Sequence, residues 1–173
     1  MNEKDKKSIP PTDVTQSRRE FMVFGSPLIE EPEIKEVEAT LRSGWLGTGP
    51  RVARFEELFR DLQGSRFAIA LNSCTAALHL SVLALDLKPG DEVITTPMTF
   101  CATINAIIHA GATPVFADCQ RDTMNIDPRE IEKKITPKTR AILPVHFAGR
   151  ACEMDAIMAI ADSYSLKVIE DRS

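Results

Sequence analysis

The chain has 173 residues, 43% hydrophobic and 27% charged, which is enough for one domain with a real core and ordinary for a soluble globular protein. Its formal net charge of −4 lacks the basic footprint that nucleic acid or an anionic membrane surface needs. No apolar run approaches the roughly 18 residues of a bilayer span, and MNEKDKKSIPPTDVTQSRRE at the start has no apolar signal core, so a cytoplasmic location is the expectation.

Residues 1–20 are polar, with Pro10-Pro11 and mixed charge, and read as a flexible tail. After Pro32, the spacing of Ile34, Val37 and Leu41 predicts a helix that Gly44 ends. Val52, Phe55, Leu58, Phe59 and Leu62 predict a second amphipathic helix, closed by Gly64. From there short apolar runs alternate with helical stretches. RFAIAL (66–71) reads as a strand, 75–85 as a helix, 88–91 as a turn and EVITT (92–96) as a strand. Residues 102–111 read as a helix and TPVFAD (113–118) as a strand, and Asp127-Pro128 forms an N-cap followed by a first-turn proline. RAILPV (140–145), a helix over 153–164 and KVIE (167–170) complete the pattern. This is the βαβ alternation of an α/β fold: helices on both faces of a mostly parallel sheet, a three-layer sandwich.

In such a sheet, ligands bind beyond the carboxyl ends of the strands. The places to examine are therefore NSCTAA, TPMTF, Asp118, His146 and Asp171. At the first, Ser73, Cys74, Thr75 and Ala76 form a small polar junction into a helix. Its N–H groups and hydroxyls suit a phosphate, and equally suit simple N-capping. Phe100 can stack on a flat ring or fill core. Asp171 can hold a cationic ring nitrogen or be a solvated strand end. His146 is open between catalysis and packing, and His79 and His109, inside helices, have no assigned role. Cys74, Cys101, Cys119 and Cys152 are scattered without ligand spacing, so no metal site is expected and buried free thiols are the reading. No glycine fingerprint of a dinucleotide site or P-loop occurs. Taken together, a phosphate cradle, a ring stacker and a ring-nitrogen carboxylate describe a site for pyridoxal 5′-phosphate (PLP).

The stretches SGWLGTGP (43–50), NSCTAALHL (72–80), GDEVITTPMTFCATINAI (90–107), GATPVFAD (111–118), ITPKTRAILPVHFAG (135–149) and VIED (168–171) resemble, in order and spacing, the DegT-type sugar-nucleotide aminotransferases of PLP fold type I. The likeness is strongest to members that make 4-amino-4-deoxy sugars, such as the aminoarabinose-forming enzymes. The resemblance implies that Ser73, Cys74, Thr75 and Ala76 cradle the cofactor phosphate, Phe100 stacks on its ring and Asp171 pairs with its nitrogen. Trp45 and Thr48 would lie near the substrate entrance. It further implies a homodimer that transfers an amino group, usually from glutamate, to a nucleotide-linked keto-sugar.

Two departures accompany the resemblance. The family follows VIED with A-A-H-A, where this chain has Arg172 and Ser173, and the family's Schiff-base lysine lies further downstream. None of Lys133, Lys134, Lys138 and Lys167 stands in its place, so no residue of this chain is assigned as catalytic. The expectation is that residues 21–173 are the N-terminal part of the PLP-binding large domain, interrupted by a frameshift, an early stop or a sequence break, with the small C-terminal domain outside the chain. Such a chain is expected to show no transaminase activity alone. Of the family's seven strands it would supply about five. KVIE, RAILPV, EVITT and TPVFAD would pair in that order, and RFAIAL would lose its neighbours. A PLP-dependent sugar dehydratase, or a non-catalytic subunit that pairs with a full-length homologue, are the alternatives.

Overall fold

Four short apolar runs pair side by side in this chain, and the order of pairing sets where a ligand can enter. The computed structural model describes Gly25 and residues 27–172, so the expected tail at residues 1–20 lies outside the described residues. The chain divides into two units, Met1–Glu57 and Leu58–Ser173.

The first unit holds α1 (Glu31–Ser43). A capping box opens it, with the Glu30 N–H donating to the Glu33 carboxylate at 2.8 Å. Gly44 ends it at φ 72°, a left-handed conformation that glycine adopts without a Cβ penalty, and its N–H donates to the Leu41 carbonyl. The expected apolar stripe of Ile34, Val37 and Leu41 is present but exposed. Helix α2 (Pro50–Gln63) starts on a proline, whose missing N–H costs nothing in a first turn.

The second unit contains α3 (Cys74–Leu83), β1 (Glu92–Thr95), α4 (Cys101–His109), β2 (Thr113–Phe116), α5 (Pro128–Lys134), β3 (Thr139–Leu143), α6 (Met154–Ser163) and β4 (Lys167–Val168). The strands are parallel, in the order β2-β1-β3-β4. That is the order the resemblance implies for TPVFAD, EVITT, RAILPV and KVIE. Pairing continues past β4 as single hydrogen bonds, from Ile169 N to the Ile142 carbonyl and from Asp171 N to the Pro144 carbonyl.

Alternation along the strands builds two cores. Val93, Ala141 and Leu143 pack with Leu78 and Val82 of α3 and Ala106 and Ile107 of α4. Ile94 and Ile142 point the other way, onto Ile131 of α5 and Ile157 and Ala161 of α6. The sheet is thus covered on both faces, in three layers. From β1 the chain steps to β2 on one side, and from β3 to β4 on the other. Crossovers of one hand running in opposite directions put their helices on opposite faces, and α4 and α6 do lie in the two different cores.

One expected strand does not form. RFAIAL is not part of the sheet, and Phe67 and Ile69 are exposed. A strand requires partners for its backbone and cover for its side chains, and the four paired strands run β2-β1-β3-β4 without it, which is the loss of sheet neighbours that the resemblance implies for RFAIAL. The thiols also differ from expectation. Only Cys152 is buried, Cys119 is half-buried, and Cys74 and Cys101 are exposed at the first positions of α3 and α4.

Candidate functional site

The strand order reverses direction between β1 and β3, which makes this pair the topological switch point of the sheet, where open α/β sheets leave a crevice beyond the strand ends. The chain leaving β1 is TPMTF and the chain leaving β3 is PVHFAG. A pocket of about 460 Å³ lies between them, lined by Met98, Thr99 and Phe100 on one side and Val145, Phe147 and Ala148 on the other. The two strand ends are tied by the buried Thr95 hydroxyl, which donates to the Leu143 carbonyl at 2.8 Å.

Phe100 is the N-cap residue of α4, and 74% of it is exposed. It is therefore not core, and an aromatic face at this pocket is available to a flat ligand. Asp171 is not a solvated strand end either, since only 1% of it is exposed. It forms a parallel bridge with Val145 of the pocket wall, and its backbone carbonyl accepts from His146 N at 3.0 Å. Its Oδ2 accepts from the buried Thr103 hydroxyl of α4 at 2.7 Å. The Thr103 and Thr99 hydroxyls lie 2.8 Å apart. Sequence reasoning missed both threonines. Their signal was the i, i+4 spacing of two hydroxyls at the start of a helix beside the strand ends.

Both ring nitrogens of His146 are engaged. The residue is buried, Nδ1 accepts from Cys152 N at 3.0 Å, and Nε2 lies 3.0 Å from Glu170 Oε2. A ring nitrogen that accepts from an N–H carries no hydrogen, so the proton of the neutral ring is on Nε2 and is donated to Glu170. Burial pushes the Glu170 carboxyl up, but the hydrogen bonds from His146 and Arg172 and the Arg172 charge outweigh it and hold the group below the usual carboxylate range. Buried Cys152 donates its thiol to the Val145 carbonyl, and desolvation pushes that thiol up.

The loop after His146 is a 3-10 turn over Phe147–Gly149, with Ala148 in the left-handed region at φ 50°. A non-glycine residue there costs about 1–2 kcal/mol and persists only where its surroundings impose it. Asn125 does much of the imposing. Its buried amide accepts from Phe147 N at 2.9 Å and donates to the Arg150 and Ala151 carbonyls, both at 3.0 Å. One side chain thus holds both ends of the loop that forms the far wall of the pocket.

At the other predicted junction, the Ser73 side chain accepts from Ala76 N at 3.2 Å, so it caps α3. Ser73, Cys74 and Thr75 are exposed and Ala76 is half-buried. Helix α3 packs beside α4 through Leu78, Val82, Ala106 and Ile107, and His79 and His109 meet edge to face at 5.9 Å. Asp118 is exposed and accepts from its neighbour Cys119 N. In the other unit, Trp45 is exposed, and its indole N–H donates to the Thr48 carbonyl at 3.0 Å. The indole lies so close over Gly49 that any Cβ there would collide with it. Among the described residues, no cluster of three or more His, Cys, Asp or Glu could hold a metal ion, and no helix is long and apolar enough to cross a membrane.

Residues 27–173 match the DegT/DnrJ/EryC1/StrS aminotransferase family. The chain is 52% identical over 158 residues to the spore coat polysaccharide biosynthesis protein SpsC of Bacillus subtilis, covering 91% of this chain and 41% of SpsC. It therefore spans about two fifths of that relative's length. Among solved structures, an aminotransferase from Psychrobacter cryohalolentis superimposes with TM-score 0.79 at 43% identity, over 83% of this chain and 37% of the other. NtdA from Bacillus subtilis, with bound cofactor PMP, superimposes with TM-score 0.77 at 41% identity, over 83% and 34%.

Proposed function

The chain belongs to the DegT/DnrJ/EryC1/StrS aminotransferase family, and from that premise we propose that it is the N-terminal part of the large domain of a PLP-dependent sugar aminotransferase. Its substrate would be a nucleotide-linked keto-sugar and its amino donor glutamate, and the intact enzyme would act in the cytoplasm as a homodimer in polysaccharide or lipopolysaccharide biosynthesis. SpsC, a polysaccharide biosynthesis protein, supports the sugar reading, and NtdA with its bound pyridoxamine form supports the cofactor.

The observation that carries the reading is the buried Asp171 carboxylate beyond the end of β4, bridged to Val145 in the wall of the pocket that Phe100 lines. The residues present fit PLP by the chemistry of their donor set. Asp171 would hold the ring nitrogen in its protonated form, since a carboxylate beside a cationic N–H makes a strong charge-assisted contact. Phe100 would cover one ring face. The hydroxyls of Ser73 and Thr75 and the N–H groups at the start of α3, from Cys74 to Ala76, would take the phosphate, the Ala76 N–H giving up its bond to the Ser73 side chain to do so, as helix N-termini favour anions. Trp45 and Thr48 would serve the sugar side. When bound, the cofactor supplies an electron sink through which an amino group passes between donor and acceptor. Lys138 precedes β3 and Lys167 opens β4, at the end of the strands opposite Asp171, and Lys133 and Lys134 are on α5, so none of the four is proposed to carry it.

The test is equilibrium binding of pyridoxamine 5′-phosphate, which needs no lysine, to the purified chain. Saturable binding that Asp171→Asn and Thr75→Ala each weaken at least tenfold is the expected result. Binding that neither substitution changes, or no binding, overturns the assignment of these residues. Transamination by the chain alone would overturn the reading that its catalytic lysine lies outside it.

A further inference from the structure

Thr103 and Thr99 connect the pocket to the buried Asp171 carboxylate. Thr103 is 1% exposed, and its hydroxyl is 2.7 Å from Asp171 Oδ2 across 68 positions of sequence. Thr99 lines the pocket and is 2.8 Å from Thr103. A hydroxyl has one hydrogen. That of Thr103 is committed to Asp171, so the hydrogen between the two threonines must come from Thr99. The chain of donation therefore has one direction, Thr99 to Thr103 to Asp171, and each bond polarises the next. Both threonines are anchored by backbone geometry. Thr103 is in the first turn of α4, where its N–H reaches back to the Phe100 carbonyl at 3.2 Å, and Thr99 precedes the cap by one residue. The same turn that presents Phe100 to the pocket thus presents Thr103 to Asp171.

We propose that Thr103, supported by Thr99, is a positioning residue that fixes the Asp171 carboxylate as the partner of the cofactor's ring nitrogen. This rests on the PLP reading above. The hydrogen bond from Thr103 fixes the plane of the carboxylate and so the direction in which it meets the ring N–H. Losing the donor would leave a slightly stronger base but free it to rotate, and the loss of alignment outweighs that gain, weakening binding and letting the ring nitrogen release its proton more readily. The adjacent carboxylate, Glu170, is bonded to His146 and Arg172, contacts that neither threonine makes.

The test uses the full chain, with pyridoxamine 5′-phosphate as the probe and its ring absorption followed against pH. Thr103→Val is expected to weaken binding about tenfold, the low end for a hydrogen bond to a charged group. The pH at which the bound ring loses its pyridinium absorption is expected to fall by about one unit. Thr103→Ser, which restores the hydroxyl, should return both readouts to wild type. Thr99→Val, at a half-buried and more tolerant position, should shift both in the same direction by less, and keeps the test open if Thr103→Val does not fold. A merely structural role would lower stability without moving the absorption titration. If Asp171→Asn weakens binding and neither threonine variant moves the titration, the relay is refuted while the PLP reading stands. If the wild type does not bind the probe, or Asp171→Asn binds like wild type, both fall together.

Discussion

Replacing Asn125 by alanine should destabilise the second unit by about 3 kcal/mol. The figure follows from three bonds, two donated to the Arg150 and Ala151 carbonyls and one accepted from Phe147 N, each contributing about 1 kcal/mol net, with more lost if the orphaned groups stay dry. Asn125 is only 3% exposed, so water does not already share these contacts. Urea denaturation followed by far-ultraviolet circular dichroism reads the loss as a lower midpoint with an unchanged slope. Hydrogen exchange at the Phe147 amide gives the local view, with protection falling about a hundredfold if the loop opens by itself. Asn125→Asp is the sharper variant. It keeps the acceptor for Phe147 N but turns oxygens toward two carbonyls, so it should be worse than alanine at neutral pH. It should recover partly as the new carboxyl is protonated. A loss below about 1 kcal/mol in Asn125→Ala, with Phe147 exchange unchanged, would refute the view that this amide imposes the strained turn at Ala148.

The remaining expectations concern acid, core and thiols. The Glu170 carboxyl is held below its ordinary value of 4.5 despite burial, by His146 and Arg172, and that of Asp127 is held below 3.8, chiefly by the Arg129 side chain. Groups depressed in the fold add stability above their unfolded values and lose it as pH falls through the folded ones, so stability should decline from about pH 4.5 downward. Glu170→Gln should flatten the upper part of that decline in urea midpoints taken against pH, and an unchanged profile would discount the pairing. Ile142→Ala, at a fully buried core position, should cost about 3 kcal/mol, whereas Ile69→Ala in the exposed RFAIAL segment should change stability by less than about 0.5 kcal/mol. A large loss at Ile69 would mean that segment is covered in solution. With an alkylating reagent and intact-mass detection, Cys74 and Cys101 should react first and Cys152 only on unfolding, since Cys152 is buried and its thiol is pushed up.

Most elements were legible because local rules and the global fold agree. Gly44 and Asp127-Pro128 are boundary signals that work through backbone geometry alone, and the two-sided apolar runs 93–95 and 141–143 announce a sheet buried on both faces. RFAIAL has the same composition as those runs and does not join the sheet, because composition says that a segment could pair, not that a neighbour exists. The site was legible as a set of strand ends and only partly as chemistry. Phe100 and Asp171 could be named, but whether each was covered or open depends on β3 and α4, which sequence order alone does not bring together. His146 shows the limit most clearly. A histidine after a strand is open between catalysis and packing, and only the structure reveals that its Nδ1 lone pair already accepts from the Cys152 amide.

The distribution of polar groups around the switch point follows from what each helix can reach. Helix α4 connects β1 to β2 across one face, so its first turn starts beside the pocket, and Thr103 in that turn faces the chain that leaves β4. Opposite, the loop leaving β3 must turn away before α6 can cover the other face, and Asn125, from the segment before α5, is the group that holds it in that turn. The two walls are therefore fixed by different means: a hydroxyl relay beneath Asp171 on one side and an amide clasp behind Ala148 on the other. Neither Asn125 nor Thr103 lines the pocket. A substitution at Asn125 should change the position of Phe147 and Ala148 while leaving the Asp171 carboxylate in place, and one at Thr103 should do the reverse. Combining Asn125→Ala with Thr103→Val should accordingly give additive losses of stability, within about 0.5 kcal/mol. Strong coupling between them would mean that the two walls move as one body.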